Sequence, residues 1–67
     1  MGARAALTGR EAELLRRLSR GLSNQEIARQ MSITVGTTKG HLYRIFRKLN
    51  VRNRTAAVAK ARQLGLL

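Results

Sequence analysis

The chain has 67 residues, with 14 lysines and arginines against three glutamates and no aspartate, a formal net charge of +11. It has no cysteine and one histidine, so disulfides, thiolate chemistry and cysteine zinc sites are excluded, and His41 has too few oxygen ligands near it to hold a metal. No apolar run approaches the roughly 20 residues of a bilayer span and no signal-peptide pattern opens the chain, so the positive charge points to a polyanionic partner.

A chain this short buries only about 60% of its unfolded surface and has no staple to help it fold. Ten leucines, three isoleucines, three valines and one phenylalanine nevertheless lift it above a disordered composition. Proline is absent and strand-forming aromatics are nearly so, which predicts an all-α domain. Residues 1–6 carry no cap signal and read as a flexible leader or linker remnant ahead of a single domain over 7–67.

Thr8-Gly-Arg-Glu11 matches the S/T-x-x-E capping box, in which the hydroxyl accepts from the amide three residues on and the glutamate reaches back. Leu14, Leu15 and Leu18 follow on one face, and Gly21 supplies the positive φ of a left-handed C-cap, giving a helix over about 9–19. Ser23-Asn-Gln-Glu26 is a second capping box, opening a short helix over 24–31 with Ile27, Ala28 and Met31 on its apolar stripe. Thr34 caps a third helix over 35–49. Its apolar set, Val35, Thr38, Leu42, Ile45, Phe46 and Leu49, keeps a 3.6-residue period for four turns, and Asn50 tolerates the left-handed region that ends it. Asn53 or Thr55 starts a fourth helix, 54–64, through Ala57, Val58, Ala61 and Leu64, and Gly65 closes it.

A short helix followed after about three residues by a longer one is the helix-turn-helix arrangement, whose second helix enters the DNA major groove. Turning the third helix's stripe inward leaves Gly36, Thr37, Lys39, Gly40, Tyr43, Arg44, Arg47 and Lys48 outward, four of them cationic and none acidic. All three glutamates lie in the first 26 residues, whereas eight basic residues and no acid follow Met31. That asymmetry gives the molecule a positive side. Lys39 can donate to guanine O6 and N7 and Thr37 to several acceptors, while Ser23, Asn24, Thr34 and Thr37 sit at helix starts where hydroxyls and amides meet phosphate oxygens.

Leu7-Thr8-x-Arg10-Glu11, Leu14-Leu15 and Gly21-Leu22-Ser23-Asn24-x-Glu26-Ile27-Ala28 are followed by Thr34-x-x-Thr37-x-Lys39-x-His41-Leu42 and Ile45-x-x-Lys48-Leu49-x-Val51-x-x-Arg54. With Ala57-Val58 and the ending Ala61 to Leu66, the pattern resembles the LuxR-type (GerE-like, NarL-like) helix-turn-helix domain over residues 7–66. Its ending most resembles regulators with a large MalT-like body. The resemblance implies a four-helix, non-enzymatic DNA-binding domain of a bacterial transcriptional regulator, working in the cytoplasm and nucleoid-associated when bound, without a cofactor. Carried over by position, Lys39, Gly40 and Tyr43 face the groove, and the outward face of the third helix adds Thr37 and Arg44 near the bases. Carried-over phosphate contacts fall to Ser23, Asn24, Thr34, Thr37, His41 and Lys48, and the outward cation Arg47 is expected to join them. The family's fourth helix commonly forms a dimer contact, which here implies Val58, Ala61 and Arg62, and RNA polymerase is a further expected partner. Two positions depart from the family pattern: Gly40 stands where a side chain is usual and Thr38 where valine is usual.

Other readings have sequence signatures of their own. A sigma-factor region 4-like module shares the Ile-Ala and Thr-x-Lys core, but His41 and Lys48-Leu49-x-Val51-x-x-Arg54 favour the LuxR-type pattern. A membrane-surface helix protein needs an apolar face open to lipid and interfacial Trp or Phe. Single-stranded RNA binding is poorly served by only Tyr43 and Phe46 as stacking platforms. Glu11 is expected to be structural, with Arg54 or Lys48 as a pairing partner besides its cap.

Overall fold

The computed structural model describes residues 6–67, so the expected leader lies outside the described residues except for Ala6. Four helices follow in order, α1 (Gly9–Ser19), α2 (Asn24–Met31), α3 (Val35–Leu49) and α4 (Arg54–Gln63). Each begins at the residue whose side chain can accept an otherwise orphaned amide. Thr8 accepts from Glu11 and Ser23 from Glu26, both in complete capping boxes, while Thr34 accepts from Thr37 and Asn53 from Ala56. Asn53 rather than Thr55 therefore starts α4.

The four C-termini share one device. Gly21, Ser32, Asn50 and Gly65 all take positive φ. The residue after each donates its amide to a carbonyl five positions back: Leu22 to Arg17, Ile33 to Ala28, Val51 to Phe46 and Leu66 to Ala61. Those four followers are the aliphatic residues that pack onto the core. This is the Schellman closure with its hydrophobic contact, used four times. Ser32 is the unexpected member, since a serine pays for the left-handed region that glycine enters freely.

Leu14, Leu15, Leu18, Ile27, Met31, Leu42, Ile45, Leu49, Ala57 and Ala61 form one buried cluster. α3 packs against all three other helices; α2 and α4 each pack on α1 and α3 but not on each other. The radius of gyration is 11.0 Å, the value of about 11 Å expected when a chain of this length folds fully onto itself, so α4 is part of the core. Thr38, inside that core at 0% exposure, returns its hydroxyl to the carbonyl of Thr34 at 3.0 Å. The burial of a polar side chain in α3 is thereby satisfied within the helix.

Two expectations for α4 need correction. Leu64, expected as the last residue of the helix, instead follows it as the C-cap and is 48% exposed. Ala61, expected at a dimer surface, is 0% exposed and belongs to the domain's own core, because the small side chains of Ala57 and Ala61 let α4 approach closely. Among the described residues, no helix is long and apolar enough to cross a membrane.

Candidate nucleic-acid interface

The turn between α2 and α3 is Ser32, Ile33 and Thr34. Ile33 packs on the core, which fixes the two helices relative to each other. Further pins surround the pair. Arg10 on α1 donates to the Met31 carbonyl at the end of α2, at 3.4 Å. Arg17 spans Glu13 on its own helix at 3.1 Å and Gln30 on α2 at 3.0 Å. Arg54 at the start of α4 donates to the Leu22 carbonyl just before α2, at 2.6 Å. Only the Glu13–Arg17 spacing of four is visible locally; the other contacts join residues 13 to 32 apart in the chain.

Held this way, α3 exposes Gly36, Thr37, Lys39, Gly40, Tyr43, Arg44 and Arg47. Three of these seven are cationic and none is acidic. Tyr43 is 63% exposed, and the Arg47 guanidinium lies 5.7 Å from its ring centroid, a cation–π contact that orders two long side chains on the face. Arg44 Nη1 lies 3.5 Å from Nδ1 of the half-buried His41. At the helix start, Thr34 donates its hydroxyl to Thr37 Oγ1 at 2.9 Å while accepting the Thr37 amide. The relay leaves the Thr37 hydroxyl proton free to point outward.

Lys48 is less free than the sequence pattern implied. It is half-buried and donates to Glu11 Oε1 at 2.7 Å, joining the start of α1 to the end of α3. The same Oε1 accepts the Thr8 amide at 2.9 Å. Burial of Glu11, only 4% exposed, acts to raise its pKa, but the hydrogen bonds from Lys48 and Thr8 and the Lys48 charge outweigh it and hold the carboxyl below its ordinary range. Lys48 rather than Arg54 is thus the partner of Glu11, and two of its three ammonium donors remain.

At the start of α2, Ser23 is exposed and Asn24 is half-buried, with its Oδ1 buried and without a hydrogen-bond partner among the described residues. The Glu26 carboxylate sits over this helix start, where the Ser23 amide and hydroxyl hold its pKa below the ordinary value. α3 differs: its first turn carries no acid. The partial positive charge of its N-terminus is therefore left for an external anion.

A short helix pinned to a longer one, with a cationic and acid-free outer face on the second, defines a helix-turn-helix DNA-binding domain. The chain belongs to the luxR family of bacterial regulatory proteins, whose family model, "GerE: Bacterial regulatory proteins, luxR family", matches residues 5–61. The chain is 53% identical over 57 residues to the probable csgAB operon transcriptional regulatory protein of Salmonella typhimurium (strain LT2), covering 85% of this chain and 26% of that protein. It is 48% identical over 61 residues to the response regulator protein VraR of Staphylococcus aureus (strain Mu3), covering 91% and 29%. It is 44% identical over 63 residues to the HTH-type transcriptional regulator AlkS of Alcanivorax borkumensis, covering 94% and 7%. The crystal structure of the response regulator ChrA, from a heme-sensing two-component system, superposes with a TM-score of 0.90 at 48% identity, over 92% of this chain and 31% of that one. The chain thus spans less than a third of each of these relatives.

Proposed function

We propose that this domain binds double-stranded DNA sequence-specifically within a bacterial transcriptional regulator in the cytoplasm, with α3 lying in the major groove. The observation that carries the reading is the exposed face of α3, cationic and free of acid, on a helix whose opposite face is locked into the core. Thr37, Lys39, Gly40, Tyr43 and Arg44 are assigned to the base edges, Lys39 as a donor to guanine and Thr37 through its free hydroxyl proton. Ser23, Asn24, Thr34, His41, Arg47 and Lys48 are assigned to the phosphates, which fix register rather than sequence. Lys48 contributes through the donors that Glu11 leaves unused. The uncompensated N-terminus of α3 adds to the same attraction.

A homodimer through α4 and contact with RNA polymerase belong to this reading on the strength of the family alone. With Ala61 buried, Val58 and Arg62 are the two of the three expected contact residues that remain accessible on α4. Selection of bound duplexes from a random pool at physiological salt tests the proposal. The expected result is a defined half-site bound in preference to scrambled duplex, with affinity falling steeply as salt rises. Equal affinity for every duplex would overturn it.

A further inference from the structure

The line of α3 that stands furthest from the core begins without side chains. Gly36, Gly40, Tyr43 and Arg47 follow one another at intervals of four, three and four residues, so they share one face of the helix, opposite the buried Thr38, Ile45 and Leu49. Thr37, Lys39 and Arg44 lie to either side of it. A Cβ added at Gly40 meets nothing within 4 Å among the described residues, so a recess opens there. Tyr43, one turn further on, borders the recess, because a helical side chain leans over the turn before its own.

We infer that this recess takes the C5-methyl group of a thymine, and that Tyr43 reads the methyl by apolar contact. The inference rests on the DNA reading above and adds to it the base that the centre of α3 selects. Three large apolar side chains are exposed among the described residues, Tyr43, Leu64 and Leu67, and only Tyr43 lies on α3. The Arg47 guanidinium, 5.7 Å from the ring centroid, still leaves Tyr43 63% exposed. The ring is thus held on the outer face rather than folded back onto the core.

The chemistry of the groove decides the occupant. Every base pair presents donors or acceptors in the major groove, but the thymine methyl is the one apolar group there. Only that group gains from the carbon atoms of a ring. A phosphate oxygen is better met by the cations of Lys39 and Arg44, which flank the line, than by a recess of bare backbone. Cytosine, which lacks the methyl, would leave the recess unfilled. A larger side chain at position 40 would take the space the methyl needs, and glycine in the middle of an exposed helix is otherwise only a loss of stability.

The test takes the half-site selected from a random pool and replaces each thymine in turn by uracil, which removes only the C5-methyl. The expected result is a thymine at which uracil raises Kd about fourfold, the contribution of one buried methyl group. Tyr43→Ala should abolish that difference, and Tyr43→Phe, which keeps the ring and drops the hydroxyl, should preserve it. Gly40→Leu, which fills the recess, should abolish it as well. Thermal melting verifies that these variants, all at exposed positions, are folded. A selected half-site without thymine, uracil tolerated at every position, or a difference that survives Tyr43→Ala or Gly40→Leu would each overturn the inference and leave the DNA reading intact. So would a difference lost in Tyr43→Phe, which would transfer the contact to the hydroxyl. A pool that yields no preferred duplex would overturn the DNA reading, and this inference with it.

Discussion

Removing the Glu11 carboxylate should cost this small domain a large part of its stability. In Glu11→Ala the Thr8 amide loses its acceptor, and half of the capping box disappears, a loss of about 1 kcal/mol. The Lys48 contact at 2.7 Å is lost as well. Because the Lys48 side chain keeps 30% of its exposure, its charge is partly rehydrated, and solvent screening limits that contribution to about 0.5–1 kcal/mol. Together they come to about 2 kcal/mol, which in a domain of this size lowers Tm by roughly 8–16 °C. Lys48→Met retains the alkyl stem and removes only the ion pair, so it should cost about 0.5–1 kcal/mol. Thermal melts of the two single variants and the double variant close a cycle whose coupling should equal the Lys48→Met cost. Strictly additive effects would show that the pair holds nothing together, and a Glu11→Ala cost near zero would show that neither the cap nor the ion pair stabilises the fold. pH offers a second view of the same group. Its folded pKa is depressed, so its stabilisation is fully present above the ordinary carboxyl value of 4.5 and is lost as pH falls through the lower folded value. Glu11→Gln should therefore flatten the acid-side fall of Tm below pH 4.5.

Other substitutions probe α3 itself. A methyl group added at Gly40 meets nothing within 4 Å, so Gly40→Ala should stabilise the helix by about 1 kcal/mol. A lowered Tm would contradict that placement. Thr38→Val should be neutral or stabilising by up to about 1 kcal/mol, since the Thr34 carbonyl keeps the Thr38 amide and a methyl replaces a fully buried hydroxyl. Urea unfolding reads the sign, and marked destabilisation would mean that the hydroxyl is needed. In DNA binding, Lys39→Ala should erode discrimination between selected and scrambled duplex by about 1–3 kcal/mol. Arg47→Ala should weaken both duplexes alike and lower the slope of log affinity against log salt by about 0.9.

The helices were legible because their determinants are local. Thr8 with Glu11 and Ser23 with Glu26 announce two starts within four residues each, and the stripe from Val35 to Leu49 could close only as a helix. Gly21, Asn50 and Gly65 announced three of the ends, while Ser32 did not, because serine carries no preference for positive φ and is held there by the Ile33 contact that follows. The outward face of α3 was equally readable, since burying one stripe determines the other. What stayed hidden was tertiary. The commitment of Lys48 to Glu11 joins residues 37 apart. The pinning of α2 by Arg10 and Arg54 goes to backbone carbonyls, which have no sequence signature. In α4 the apolar periodicity is carried by alanines, so its buried side is ambiguous in the sequence: Ala61 reads equally as core or as dimer contact, and the fold buries it.

In the proposed function, α3 meets DNA with the face that Lys39, Tyr43, Arg44 and Arg47 share. Amide chemical shifts recorded while a selected duplex is added test it most directly. Changes should concentrate in residues 36–48 and at the starts of α2 and α3. Saturating binding that left residues 36–48 unmoved while another surface shifted would contradict it.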